Sequence, residues 1–145
     1  MLVYHPDSVI DFPSFGILIP QKDRGLFLLD KLRRGGLGEQ LDSLLDQGPF
    51  TPVGREDLLL AHEAGYVDRL FSEEGAVEVL EAVYELINPD GSHNRYAPER
   101  ASRKLVHMLP AILARVEGTY RACELALDKG FAYFLGGGMH HAMPG

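Results

Sequence analysis

The feature that most constrains this chain is a short apolar run near its carboxyl end, followed at once by glycines and two histidines. Residues 131–135 read FAYFL and lie between Gly130 and the glycines 136–138. A continuous apolar run of this length between glycines predicts a strand that is buried on both faces. Consecutive glycines permit positive φ angles and a close approach to the backbone. We therefore expect His140 and His141 to stand at the carboxyl end of a strand, where open α/β sheets gather their functional sites.

The length and composition predict one soluble domain that does not bind nucleic acid. With 145 residues, 46% of them apolar, the chain is long enough to bury one core. Its 21 acidic residues outnumber the 14 lysines and arginines, giving a net charge of −7, whereas nucleic-acid binding requires cations that neutralise phosphates. The sequence has no signal-peptide pattern and no apolar run near the length of a membrane span. We expect a cytoplasmic protein with neither a nucleic-acid nor a membrane partner.

The single cysteine gives no sign of special chemistry. Because Cys123 has no second cysteine to pair with, no internal disulfide forms, as is typical of a reducing compartment. It lies within a helical pattern, and we interpret it as a small core residue rather than a nucleophile.

Helical periodicity accounts for most of the chain between an early strand and the late one. Residues 2–4 predict a brief strand that His5 and Pro6 end. Apolar residues at a spacing of 3.6 predict helices over 21–34, 38–47, 73–87 and 98–129, the last with a kink or a break at Pro110. Residues 7–20 form an apolar loop that is either functional or a surface cover, and 55–71 mix helix and strand patterns. A strand, then helices, then a strand predict a parallel α/β sheet.

Two neighbouring imidazoles suit acid–base chemistry. Histidine has an ordinary pKa near 6.5, so one ring can take a proton from water while the other protonates a leaving group. A zinc site needs three or four ligands, and the other histidines show no ligand spacing. These are His5, His62, His93 and His107. A nucleotide-binding loop is the rival interpretation, although residues 136–141 lack both the third glycine of the dinucleotide fingerprint and the P-loop lysine.

Residues 135–142, which read LGGGMHHA, resemble the Gly-Gly-x-His-His-Ala motif of the histone deacetylase superfamily. This family comprises zinc amidohydrolases, among them the acetoin-utilisation and acetylpolyamine deacetylases. Three upstream segments, 20–32 with Arg24, 57–67 and 118–130, are similar to segments of the family as well. The resemblance covers most of the chain, and the His–His motif is its specific part.

The resemblance implies an α/β fold with a three-layer parallel sheet of the arginase–deacetylase type, of which this chain forms the amino-terminal part. It implies hydrolysis of an N-acetyl amide, of the acetyl-lysine or acetylpolyamine class, by a zinc-activated water. His140 would hydrogen-bond that water, and His141 would protonate the leaving amine. The substrate channel would be lined by Gly136, Gly137, Gly138 and Met139, with Arg24 and Tyr4 nearby.

The resemblance also implies a carboxylate at the rim of the channel that holds the substrate amide. Asp90 and Glu99 are both candidates, because each lies in or beside the polar loop that precedes the last long helix. The Asn-Pro-Asp-Gly sequence at 88–91 favours a plain turn role for Asp90.

In the family, the zinc ligands and the catalytic tyrosine follow the His–His motif, and none of them occurs before Gly145. We therefore expect residues 1–145 to be a domain truncated just after the motif, which binds no Zn²⁺ and is inactive alone. Zn²⁺ and the acetylated amine substrate belong to the full-length protein. Half of a sheet leaves strand edges uncovered, so we expect self-association or pairing with the missing carboxyl-terminal part. The alternative is a non-catalytic interaction module on the same scaffold.

Overall fold

The computed structural model describes residues 1–20 and 23–136 of the chain. Its α-helices are α1 (Arg24–Leu32), α2 (Gly38–Leu44), α3 (Arg55–Leu58), α4 (Ala64–Leu70), α5 (Glu73–Val83) and α6 (Leu109–Lys129). Its strands are β1 (Leu2–Val3) and β2 (Tyr133–Phe134). Short 3-10 turns occupy Pro6–Ser8, Phe12–Phe15, Pro98–Arg100 and Leu105–Met108.

Side-chain caps fix the start of two of the helices. The Asp23 carboxylate accepts a hydrogen bond from Leu26 N (2.8 Å) and so begins α1. The Ser72 hydroxyl oxygen accepts a hydrogen bond from Gly75 N (3.1 Å) and begins α5. The predicted helices over 21–34, 38–47 and 73–87 are thus confirmed within the described residues, each with shorter bounds.

The predicted long helix over 98–129 is confirmed only in its second part. Pro110 lies in the first turn of α6 rather than in a helix interior. Proline is tolerated there because its missing N–H would have no partner in the helix. The residues before Leu109 form two 3-10 turns instead of a kinked first half.

The predicted three-layer parallel sheet of the arginase–deacetylase type is wrong for the described residues. The described residues are 58% helical, and their sheet consists of β1 and β2, with two residues each. They run parallel, Leu2 opposite Tyr133 and Val3 opposite Phe134, and a single parallel bridge joins Leu2 to Leu45. Apolar residues recur at helical spacing over most of the chain, so the helical pattern prevails over the short apolar runs that suggested further strands.

The predicted burial of residues 131–135 on both faces is also wrong. Phe131 is 67% exposed and Tyr133 56% exposed, whereas Phe134 is half-buried. Alternate side chains of a strand point to opposite faces, so one face of β2 packs inward while the other meets solvent. An apolar run that long therefore reflects an edge strand with one packed face.

The described residues form two compact units. The first contains residues 1–9, 23–53 and 111–136 and therefore both strands. Its core is built from apolar side chains of β1, α1, α2 and α6. These are Val3, Leu29, Leu41, Ala114 and Leu125.

The second unit contains residues 10–20 and 54–110. The apolar loop of residues 7–20 enters its core through Phe12, Phe15 and Ile17, which are all at least 95% buried. Ile17 forms an antiparallel bridge with Tyr96. Residues 10–20 of the loop are thus a packed part of this unit rather than a surface cover.

Candidate functional site

The carboxyl ends of β1 and β2 lie at the same edge of the small sheet, because the two strands are parallel. Tyr4 and His5 follow β1, and Leu135 and Gly136 follow β2. Leu135 N donates a hydrogen bond to the carbonyl oxygen of Val3 (2.8 Å), so the pairing continues up to this edge. The segment that leads to the two histidines therefore leaves the sheet beside Tyr4.

Tyr4 is held by the residue that caps α1. Its hydroxyl donates a hydrogen bond of 2.5 Å to Oδ2 of Asp23, while Oδ1 of Asp23 accepts from Leu26 N. Burial, and then the hydrogen bond and negative charge of Asp23, raise the pKa of Tyr4 to about 12. At neutral pH the Tyr4 phenol is uncharged, and its hydroxyl proton is used in the hydrogen bond to Asp23.

Gly25 lies close to residues at the ends of both strands. A Cβ at this position would lie 3.0 Å from Cδ2 of Tyr4 and 3.3 Å from Cβ of Leu135. The backbone of α1 can approach both side chains closely because glycine carries no side chain. The start of α1, the end of β1 and the end of β2 therefore meet at one point.

The predicted channel residues are brought together only in part. Gly25, the neighbour of Arg24, lies close to both Tyr4 and Leu135, and Leu135 is the neighbour of Gly136. The Arg24 side chain itself is exposed. Tyr4 was predicted here through the family resemblance alone, and its partner Asp23 was not predicted.

The remaining predicted residues of the channel and the catalytic pair lie outside the described residues. These are Gly137, Gly138, Met139, His140 and His141. In the sequence, these residues follow Gly136.

Phe134 connects the end of β2 to α6. Its ring occupies the space that a side chain at Gly118 would need, and a Cβ at Gly136 would also meet this ring. Gly118 lies on the buried face of α6. Gly118 therefore allows α6 to pack closely against the Phe134 ring.

A buried histidine lies beside this edge, and sequence reasoning assigned it no role. His5 is 6% exposed, and its ring stacks on Phe50 with the centroids 3.9 Å apart. Nδ1 of His5 accepts a hydrogen bond from Asp7 N (3.3 Å), so the ring proton resides on Nε2, which donates to Oε2 of Glu117 (3.0 Å). Oε1 of Glu117 accepts a hydrogen bond from Val53 N (3.0 Å). The Glu117 carboxylate thus ties α6 to β1 and to the residues that precede α3.

An ion pair supports the other side of β1. The Arg121 guanidinium donates two hydrogen bonds of 2.9 Å to the Asp46 carboxylate, whose side chain is 7% exposed. The hydrogen bonds from Arg121 hold the pKa of Asp46 below its ordinary value. Asp46 N donates to the carbonyl oxygen of Leu2 (2.8 Å). This pair fastens α6 to the segment that flanks β1.

The two candidates for a rim carboxylate belong to the second unit. Asp90 Oδ1 accepts hydrogen bonds from both the backbone N–H and the hydroxyl of Ser92, at 2.9 and 2.6 Å. These bonds are those of a turn residue, and they hold the pKa of Asp90 below its ordinary value. Glu99 lies in an exposed 3-10 turn, 3.9 Å from Arg100.

Two further observations concern cofactors and membranes. Residues 1–20 and 23–136 contain no group of three or more His, Cys, Asp or Glu side chains that could hold a metal ion. The zinc that the resemblance implies therefore finds no ligand set among these residues. Within the same part of the chain, no helix has the length and apolar character needed to cross a membrane.

Comparison with known proteins identifies no family. The chain matches no protein-family model, no curated protein and no solved structure.

Proposed function

We propose that this chain supplies the amino-terminal part of a cytoplasmic, zinc-dependent deacetylase that hydrolyses an N-acetyl amide of the acetyl-lysine or acetylpolyamine class. The observation that carries the proposal is the meeting of Tyr4, Gly25 and Leu135 at the carboxyl edge of β1 and β2. Two of these three residues adjoin channel residues that the sequence motif implies, Arg24 and Gly136. The juxtaposition supports one channel built from three distant parts of the chain.

The chemistry of this edge suits a small uncharged acyl group. The Tyr4 ring and the Leu135 side chain offer apolar surface, and Gly25 packs closely against both of them. Because the pKa of Tyr4 is raised and its hydroxyl is bound to Asp23, this phenol is a fixed wall of the channel rather than an acid. The methyl group of an acetyl group can pack against such an apolar wall.

His140 and His141 are proposed to move the protons of the reaction, one toward water and the other toward the leaving amine. When bound, Zn²⁺ would supply the activated water. The described residues offer no ligand set for this ion. As the family resemblance implies, residues 1–145 alone are proposed to be inactive.

The test is acetate release by the natural gene product that contains this sequence, assayed with Zn²⁺ on acetyl-lysine peptides and acetylated polyamines. We expect His140→Ala or His141→Ala to reduce the rate by about a hundredfold or more, the range for a positioned acid or base. His107→Ala, a change at an exposed histidine of the second unit, is the matched control and should keep the rate. No acetate release from any substrate, or equal rates for all three variants, would contradict the proposal.

The alternative, a non-catalytic interaction module, is favoured by one observation. Phe131 and Tyr133 expose two aromatic side chains beside the sheet, and such patches mark interaction sites when they are large. A gene product that binds acetylated amines, yet releases no acetate at saturating Zn²⁺, would favour this alternative.

A further inference from the structure

A second apolar surface runs along α6, and the proposed channel does not use it. Val116, Tyr120 and Leu127 are 39%, 48% and 91% exposed, and Cys123 is exposed as well. At 100° per residue, these four side chains fall within about 60° of one another around the helix. We call them the α6 seam. The buried residues of α6, on the opposite side, are Ala114, Gly118 and Leu125.

The spacing of the seam is that of a helix-docking surface. Its residues follow one another at intervals of four, three and four, which is the a/d spacing of a coiled coil. A helix that is apolar on two opposite sides is typical of one that packs on both. The spacing therefore points to a second helix as the occupant.

We propose that the α6 seam docks on the α6 seam of a second copy of this chain, with the two helices antiparallel. The intervals of four, three and four read the same in both directions, so a two-fold axis brings the seam onto itself. This arrangement places Val116 opposite Leu127 of the second copy, and Tyr120 opposite Cys123. Each pair joins a smaller and a larger side chain, which lets them interdigitate.

A parallel pair of helices fits the seam less well. It would place Tyr120 against Tyr120 and Cys123 against Cys123, large against large and small against small. It would also align the two helix dipoles, whereas the antiparallel arrangement opposes them. The seam therefore favours the antiparallel two-fold.

The area of the seam sets the strength of the dimer. Leu127 is almost fully exposed and Tyr120 about half exposed, so with Val116 and Cys123 the seam offers roughly 400 Å² per copy. A stable interface buries about 800 Å² per partner, so the dimer is weak and depends on concentration. Each copy also carries a net charge of −7, so added salt strengthens association by screening the repulsion.

Sedimentation velocity across a wide range of chain concentrations tests the proposal. The wild-type mass should rise from one copy toward two, and Leu127→Glu should weaken association by roughly a hundredfold, because each dimer loses two buried leucines. Leu60→Glu is the matched control, since Leu60 is 88% exposed and lies in the second unit. Tyr120→Glu provides an independent disruption of the seam if Leu127→Glu alters the helical circular dichroism.

Several outcomes would overturn the proposal. If the wild-type chain stays monomeric at every concentration, the α6 seam does not dock on a second copy. Equal association of Leu127→Glu, Tyr120→Glu and Leu60→Glu places the dimer contact elsewhere. Neither outcome bears on acetate release, so the proposed function and this inference fail separately.

Disulfide trapping tests the direction of the two helices. In the antiparallel dimer, Tyr120→Cys faces the native Cys123 of the second copy, so mild oxidation should yield a covalent dimer rapidly. The wild type, with Cys123 alone, should crosslink much more slowly. Crosslinking of the wild type as fast as that of the variant would contradict the antiparallel arrangement.

Discussion

His5 and Glu117 form a partly buried hydrogen-bonded pair, with Nε2 of His5 3.0 Å from Oε2 of Glu117, although 112 positions separate them in sequence. The same carboxylate accepts a hydrogen bond from Val53 N. One side chain of α6 thereby satisfies donors from two distant segments of the first unit.

Replacing Glu117 should be costly because it leaves two donors without partners. We expect Glu117→Ala to lower the free energy of unfolding by about 2–4 kcal/mol, since each buried unsatisfied group costs about 1–3 kcal/mol. Urea denaturation measures the change. Glu124→Ala on the same helix is the control, because this exposed carboxylate forms an ion pair with Arg121 at 3.5 Å, and we expect a cost under about 1 kcal/mol. Equal costs for the two variants would contradict the role assigned to Glu117.

Gly118 should not tolerate even a methyl group. A Cβ there would overlap the Phe134 ring, so Gly118→Ala should destabilise the chain by about 1–3 kcal/mol, the range for overpacking. Gly65→Ala in α4 is the matched control, since no atom lies within 4 Å of its added Cβ. Alanine favours helix over glycine by up to about 1 kcal/mol, so thermal unfolding should show opposite signs for the two variants. A stabilising effect of Gly118→Ala would refute this packing.

The Asp46–Arg121 pair should make stability depend on acid pH. The folded-state pKa of Asp46 lies below its ordinary value of 3.8, so the stabilisation is present above pH 3.8 and is lost as pH falls through the lowered pKa. We expect Asp46→Asn to cost about 1.5–3 kcal/mol at neutral pH, the range for hydrogen bonds to charged groups. The difference from wild type should shrink toward acid pH in denaturation experiments. A difference that stays constant with pH would speak against the pair.

The Tyr4 phenol should lose its proton only at a pH above the usual range for tyrosine. Its folded-state pKa of about 12 exceeds the ordinary 10.0, so its contribution to stability is complete below pH 10 and is lost as pH rises toward 12. Asp23→Asn keeps a helix-capping side chain but removes the charge, and we expect the Tyr4 pKa to fall only part of the way, because burial is the largest cause. Tyrosine absorbance against pH, with Tyr4→Phe as the reference, measures this. An unchanged titration in Asp23→Asn would show that Asp23 does not perturb Tyr4.

The helices were predictable from sequence because their apolar residues repeat at a spacing of 3.6, as α1, α2 and α5 illustrate. The sheet was not predictable, because the run at 131–135 reads the same for a strand covered on both faces and for one covered on one face. The prediction of Cys123 as a core residue is wrong for a related reason, since Cys123 is exposed. α6 is apolar on two sides, and periodicity does not say which side faces the core.

The candidate site was predictable only where a motif marked it. Tyr4 and Gly136 entered the prediction through the family resemblance, and the physical pattern of the sequence gave no reason to join them. The pairing of His5 with Glu117 was not predicted, because two polar residues so far apart in sequence form no local pattern. The hydrogen bond from Tyr4 to Asp23 was not predicted, because a helix-capping residue looks the same in sequence whether or not it also binds a tyrosine.

The two neighbours of β1 become available at very different times while the chain is being made. Leu45, which bridges Leu2, is synthesised soon after β1, whereas Tyr133, the partner of Leu2 in the ladder, is synthesised only after α6. Domains begin to fold during synthesis, and contacts between distant residues form slowly. One edge of β1 therefore remains without its final partner on the ribosome until α6 has emerged, and during that interval the nascent chain is open to mispairing or to chaperone binding.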